Sequence, residues 1–158
     1  MPTDAPTQQE FDPLSLDNQL CFPLYAASRE LTRCYKPLLD PLGLTYPQYV
    51  TMMALWERDG VKVGELGERL HLDSATLTPL LKRLESRGYL HRQRSAEDER
   101  AVIVTLTDEG RDLRIRALDV PRCMAGSIAL SPEDAFELKR LLDKLLAALS
   151  VLGVHWKD

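Results

Sequence analysis

The residues of this chain able to do chemistry are three scattered thiols, a set of phenols and two groups of basic side chains. Cys21, Cys34 and Cys123 are far apart and odd in number. None belongs to a Cys-x-x-Cys pair, and none clusters with His71, His91 or His155, so the spacing gives no support for a metal site. A scattered thiol in a reducing compartment is either a small buried hydrophobe or a redox-active group. Spacing alone leaves both readings open for Cys21. The cations point elsewhere. From Ser74 to Arg94, Lys82, Arg83, Arg87, Arg92 and Arg94 meet one anion, Glu85, a local net charge of +4 in a chain of net charge −4. A basic patch on an acidic body suits a protein that holds DNA along one edge.

Two elements must present those cations. In the helix from Ser74 to Arg87, Leu77, Leu80, Leu81 and Leu84 form one face, which leaves Ala75, Thr76, Pro79, Lys82 and Arg83 on the other. With Ser74 and Thr78, these are the expected DNA-binding positions. Small and hydroxylated side chains can approach base edges, and Lys82 and Arg83 can reach phosphate or guanine. Pro79 requires either a distorted first turn or a regular helix that begins at Thr78. Next, Tyr89 to Arg94 and Ala101 to Leu106 read as strands about the polar turn Ser95-Ala96-Glu97-Asp98-Glu99. Arg92, Arg94 and Arg100 flank that turn, placed to enter a minor groove, with Asp98 bracing Arg100. The competing reading is a set of surface salt bridges among Glu97, Asp98, Glu99 and Arg100, worth little.

The remaining elements frame this pair. Thr45 and Gln48 form a capping box for a helix that runs to about Trp56 and is closed by Arg58-Asp59-Gly60. A short helix spans Val63 to Leu70, and Asp73 or Ser74 caps the next. Thr107 caps a helix to about Ala117, and Ser131-Pro132-Glu133 opens a last one with a stripe of leucines from Leu138 to Leu152. Near the N-terminus, Leu20, Leu24, Ala27, Leu31, Cys34 and Leu38 form a heptad-like seam, and Pro37 should kink or end that helix.

Helix, short helix, helix, hairpin is the order of a winged helix-turn-helix. The expected fold is mainly α with a small β wing: a tail over residues 1–14, a dimerisation helix over 15–44, a DNA-binding domain over 45–107 and dimerisation helices over 108–158. The flanking helices carry more apolar surface than so small a core needs, which favours a homodimer spanning two half-sites over an intramolecular bundle. No apolar run approaches the roughly 20 residues of a membrane span, and the first ten residues lack the pattern of a signal peptide. The expectation is therefore a cytoplasmic, non-enzymatic protein without membrane contact, cofactor or metal.

The stretch from Asp73 to Glu85, followed by Asp98-Glu99-Arg100 and Leu106-Thr107, resembles the MarR family of winged-helix regulators. Asn18-Gln19-Leu20-Cys21-Phe22, Tyr35-Lys36-Pro37-Leu38 and Leu44-Thr45-Tyr46-Pro47-Gln48-Tyr49 resemble one branch of it, the organic hydroperoxide resistance regulators. The resemblance implies a homodimeric repressor on a pseudo-palindromic DNA operator, with organic hydroperoxides as inducer. It makes Cys21 the redox sensor and Tyr35 and Tyr46 the phenols that hydrogen-bond its thiolate. Tyr25, one turn from Cys21, and Phe22 would help line an apolar pocket. Cys34 would be structural. A resolving cysteine belongs about one turn after Cys123, near Gly126. Cys123 can serve if the linker between the helices, about Pro121 and Gly126, is mobile; otherwise a small thiol resolves the oxidised sulfur. The alternative within the family is a repressor released by a non-covalent phenolic or lipid ligand.

Overall fold

The computed structural model describes residues 12–98 and 100–151. Residues 1–11 of the expected tail, Glu99 of the polar turn and the end of the leucine stripe at Leu152 lie outside the described residues. The chain divides into two compact units, Met1–Cys34 and Tyr35–Asp158. Among the described residues there are seven α-helices: α1 (Cys21–Leu39), α2 (Tyr46–Glu57), α3 (Val63–Leu70), α4 (Ser74–Ser86), α5 (Asp108–Arg116), α6 (Val120–Ser127) and α7 (Pro132–Val151). Three strands complete the set: β1 (Val61–Lys62), β2 (Leu90–Arg94) and β3 (Val102–Leu106).

In the first unit a 3-10 turn over Leu16–Asn18 leads into α1. The side chains of Asn18 and Gln19 hold that turn by donating to the carbonyls of Asp12 and Pro13, at 2.8 and 2.6 Å. Among the described residues of this unit nothing apolar is buried: Leu14, Leu16, Leu20, Phe22, Leu24 and Leu31 are all exposed in the protomer. Cys34, expected to pack within the seam, is exposed as well.

The second unit is a winged helix-turn-helix, and local chemistry explains its joints. Thr45 and Gln48 make the expected capping box at the start of α2. His71, in left-handed backbone with φ 53°, ends α3, and Asp73 starts α4 by accepting the Thr76 amide at 2.6 Å. Gly88, with φ 76°, turns the chain from α4 into β2. The hairpin pairs Leu90 with Leu106 and Arg94 with Val102, and Thr107 then caps α5 through the Gly110 amide. All four leucines predicted for the inner face of α4 are buried. They join Met52 and Leu55 of α2, Leu90 and Val104 of the hairpin and Leu113 of α5 in one core. Full burial of each such side chain favours the fold by roughly 2 kcal/mol.

Two expectations, the helix start at Thr78 and the linker about Pro121, need correction; Pro37 and a short strand complete the comparison. Pro37, expected to kink or end α1, lies inside it two residues before its end at Leu39; the carbonyl it leaves unbonded belongs to exposed Arg33. Helix α4 begins at Ser74 with Pro79 inside it, not at Thr78. The Asp73 cap secures its first turn, and the carbonyl freed by Pro79 is that of exposed Ala75. The segment read as a linker about Pro121 is helix α6. Pro121 is tolerated in its first turn, and Val120 and Met124, one turn apart, are buried. Strand β1, two residues long and too short to leave a sequence pattern, pairs Val61 with Val104 and gives the sheet order β1-β3-β2.

Candidate nucleic-acid interface and thiol sites

The outer face of α4 is as expected. Ser74, Ala75, Thr76, Pro79, Lys82 and Arg83 are exposed, and Thr78 is half-buried. The burial of the leucine face fixes the roll of the helix, so these residues are directed outward together. Arg94 and Arg100, at the two ends of the wing turn, are also exposed. A groove of about 470 Å³ lies between the start of α3, the first turns of α4 and the wing. Lys62, Arg92 and Arg100 line it together with Glu65, Glu68 and Asp98, so it carries both signs of charge. Lys62 was missed in the sequence, where it stands alone before an acidic helix.

Within the wing, Asp98 braces Arg100 through the main chain: its Oδ1 accepts the Arg100 amide at 3.0 Å. Among the described residues no ion pair joins Glu97, Asp98 and Arg100; Glu99, the fourth member of the salt-bridge reading, lies outside the described residues. Arg92, expected beside Arg94 as a groove cation, is committed elsewhere. Its Nε and Nη2 donate to Glu85 Oε2 at 2.9 and 2.7 Å, and its amide donates to Glu85 Oε1 at 2.8 Å. These bonds hold the Glu85 carboxyl below the usual carboxylate range. On the other wing strand, Asp59 Oδ1 accepts the Leu106 and Gly60 amides, each at 2.8 Å, while its Oδ2 takes Arg111 at 2.9 Å. In the sequence Asp59 reads only as part of a helix-closing turn.

The thiols are carried on α1 and α6, not on α4 or the wing. Cys21 is the first residue of α1, and Cys21, Cys34 and Cys123 are all free and exposed in the protomer. Cys123 is carried on α6. In the second unit, Tyr35 and Tyr46 pack with ring centroids 4.7 Å apart, and Tyr49 approaches Tyr35 at 5.9 Å. Burial, and next the neighbouring phenol of Tyr46, raise the pKa of Tyr35. It therefore keeps its proton and remains a donor. Tyr25 turns to Arg29, which donates to its hydroxyl at 3.0 Å. Among the described residues no group of His, Cys, Asp and Glu could hold a metal ion, and no helix is long and apolar enough to cross a membrane.

A recognition helix set by a buried leucine face, a preceding helix across a tight turn and a cation-tipped hairpin define a winged-helix DNA-binding transcription regulator. Comparison with known proteins narrows this class. The family model described as transcriptional regulator SarA/Rot matches residues 33–115. The chain is 50% identical to the organic hydroperoxide resistance transcriptional regulator of Bacillus subtilis, over 90% of this chain and 97% of that one. It is 48% identical to the HTH-type transcriptional regulator TtmR of Methylorubrum extorquens, over 85% and 67% of the two chains. Reduced AbfR of Staphylococcus epidermidis bound to DNA superposes with a TM-score of 0.76 at 35% identity, over 87% of this chain and 94% of that one. AbfR has also been solved overoxidised on DNA and in a disulfide form. The chain belongs to the MarR family of transcriptional regulators, in the organic hydroperoxide resistance branch.

Proposed function

We propose that this regulator is a cytoplasmic repressor that leaves its operator when an organic hydroperoxide oxidises Cys21. The observation that carries the reading is the position of Cys21, free and exposed at the first residue of α1, where the helix dipole favours an anion. The 50% identity to a hydroperoxide resistance regulator and the existence of a disulfide form of AbfR support it. The Cys21 thiolate attacks the distal peroxide oxygen; an S–O bond forms, the O–O bond breaks, and the alkoxide leaves to take a proton as the alcohol. Cysteine sulfur is oxidised to sulfenic acid and the peroxide is reduced. Tyr35 and Tyr46 hydrogen-bond the thiolate before this step. The Cys123 thiol of the partner subunit then displaces water from the sulfenic acid to form a disulfide, or a small thiol takes that role.

The exposed leucines of α1 and α7 support a homodimer in which two winged modules meet successive half-sites of a pseudo-palindromic operator. Ser74, Ala75, Thr76, Thr78, Pro79, Lys82 and Arg83 then face the major groove, while Arg94 and Arg100 enter the flanking minor groove. Fluorescence anisotropy on DNA from upstream of its own gene, before and after one equivalent of cumene hydroperoxide, tests the switch. Wild type should bind when reduced and release on oxidation, whereas Cys21→Ser should stay bound. Release of Cys21→Ser by the peroxide, or retention of both proteins, would refute the thiol switch. A search for a reversible small ligand would then take its place.

A further inference from the structure

Glu85 is the only acidic residue among the cations of the α4–β2 region, a place where negative charge opposes DNA binding. Yet it makes three short bonds to one residue, Arg92, across the junction between recognition helix and wing. Both side chains are mostly shielded, with exposures of 23% for Arg92 and 31% for Glu85. Nε and Nη2 both donate to one carboxylate oxygen and the main-chain amide of Arg92 takes the other, so the pairing fixes strand β2 as well as the side chain. Each wing cation beyond it, Arg94 and Arg100, is free of any such hold on its side chain among the described residues.

We infer that Glu85 is a positioning residue for DNA binding, and that with Arg92 it clamps the wing at a set angle to the recognition helix. The clamp removes Arg92 from the DNA-contacting set and aims Arg94 and Arg100 instead. It rests on the reading of the wing as a DNA-contacting arm.

The sign of one substitution separates the clamp from a simple charge effect. Glu85→Gln deletes a negative charge beside the DNA, so electrostatics alone predicts tighter binding. The amide has one acceptor oxygen, so it can keep the two guanidinium bonds or the main-chain bond but not all three, and its N–H₂ meets a donor in either orientation; the clamp therefore predicts weaker binding. The experiment measures operator affinity of the full-length reduced protein at two salt concentrations for Glu85→Gln, Arg92→Lys, the double variant and Arg100→Ala. The expected loss is about tenfold for Glu85→Gln, the worth of one misplaced groove contact. Arg92→Lys, which keeps the charge but not the fork, should lose a similar factor, and the double variant no more than either. Neither should change the slope of log affinity against log salt, whereas loss of a phosphate contact would change it by about 0.9.

Equal or tighter binding by Glu85→Gln, or full affinity in Arg92→Lys, would overturn the clamp. Should Glu85→Gln not fold, Arg92→Lys decides alone. Arg100→Ala tells the two failures apart: if it binds like wild type, the wing reading itself falls and the clamp with it. If it binds weakly while Glu85→Gln does not, only the clamp falls.

Discussion

Gly110 and Gly64 are both helical glycines, and replacing each by alanine should shift stability in opposite directions. On conformational grounds alanine is welcome at both, since neither has positive φ and glycine costs a helix roughly 0.5–1 kcal/mol. At Gly64, in the first turn of α3, a new Cβ meets nothing within 4 Å. Gly64→Ala should therefore stabilise by about 0.5–1 kcal/mol. At Gly110, in α5, the new Cβ would run into the carbonyl oxygen of Tyr89, stand 3.0 Å from its carbon and 3.3 Å from Leu106 Cδ2. The obstacle is main chain and cannot swing aside. Gly110 is pinned from both sides as well: its amide donates to Thr107 Oγ1 at 3.0 Å and its carbonyl accepts from Trp56 Nε1 at 2.8 Å. Overpacking costs about 1–3 kcal/mol, and a lost hydrogen bond about 1 kcal/mol more. Gly110→Ala should thus destabilise by about 3 kcal/mol, a large share of the 5–15 kcal/mol of a typical domain. Urea unfolding followed by circular dichroism, reduced and at one protomer concentration, measures both variants. A Gly110→Ala variant within about 0.5 kcal/mol of wild type would refute the close approach of α5 to Tyr89.

Leu81→Ala, at a residue with no exposed surface, should cost about 2–5 kcal/mol in the same urea assay and weaken operator binding with it. Lys82→Ala should lower the salt dependence of operator binding by about 0.9 in slope, with little change in the urea midpoint, because the side chain is exposed on the outer face of α4. Acid should remove the Glu85–Arg92 contribution. The Glu85 carboxyl is depressed below its ordinary 4.5, so in that window the unfolded chain binds the proton more tightly and stability rises with pH. The urea stability difference between wild type and Glu85→Gln should hold above pH 4.5 and shrink as pH falls through the lowered value. Asp73→Ala should lower the urea midpoint, and Asp73→Ser should restore most of it, because serine also caps.

Helices whose ends carry chemistry were legible in the sequence. Thr45 with Gln48, Asp73 and Thr107 each put an acceptor where the first amides of a helix lack partners, and each caps in the structure. The inner face of α4 was legible for a second reason, since four leucines at helical spacing have one place to go. What escaped were features made by tertiary contact. Strand β1 exists because β3 offers it an edge, and helix α6 because Val120 and Met124 find the core. Arg92 looked like its neighbour Arg94 in the sequence; only the fold brings Glu85, seven residues away, across from it. Of the thiol site, the sequence showed the residues and the helix start but not the surroundings. The apolar side chains beside Cys21, such as Phe22, stand exposed in the single protomer.

That contrast constrains how any thiol switch in this chain can act. The winged module closes its core within one protomer, on Met52, Leu55, Leu77, Leu81, Leu90 and Val104. No cysteine belongs to that core, and all three thiols are exposed. Adding oxygen to an exposed sulfur costs the module none of its buried contacts, so oxidation has no direct route to unfolding it. Among the described residues many of the large apolar side chains left exposed lie on α1 and α7, the kind of surface a second copy can cover. On the proposed reading, a modification at Cys21 has its leverage on how two copies are held together. For a reader of two half-sites, a change in the spacing or angle of two intact modules is enough to lose DNA.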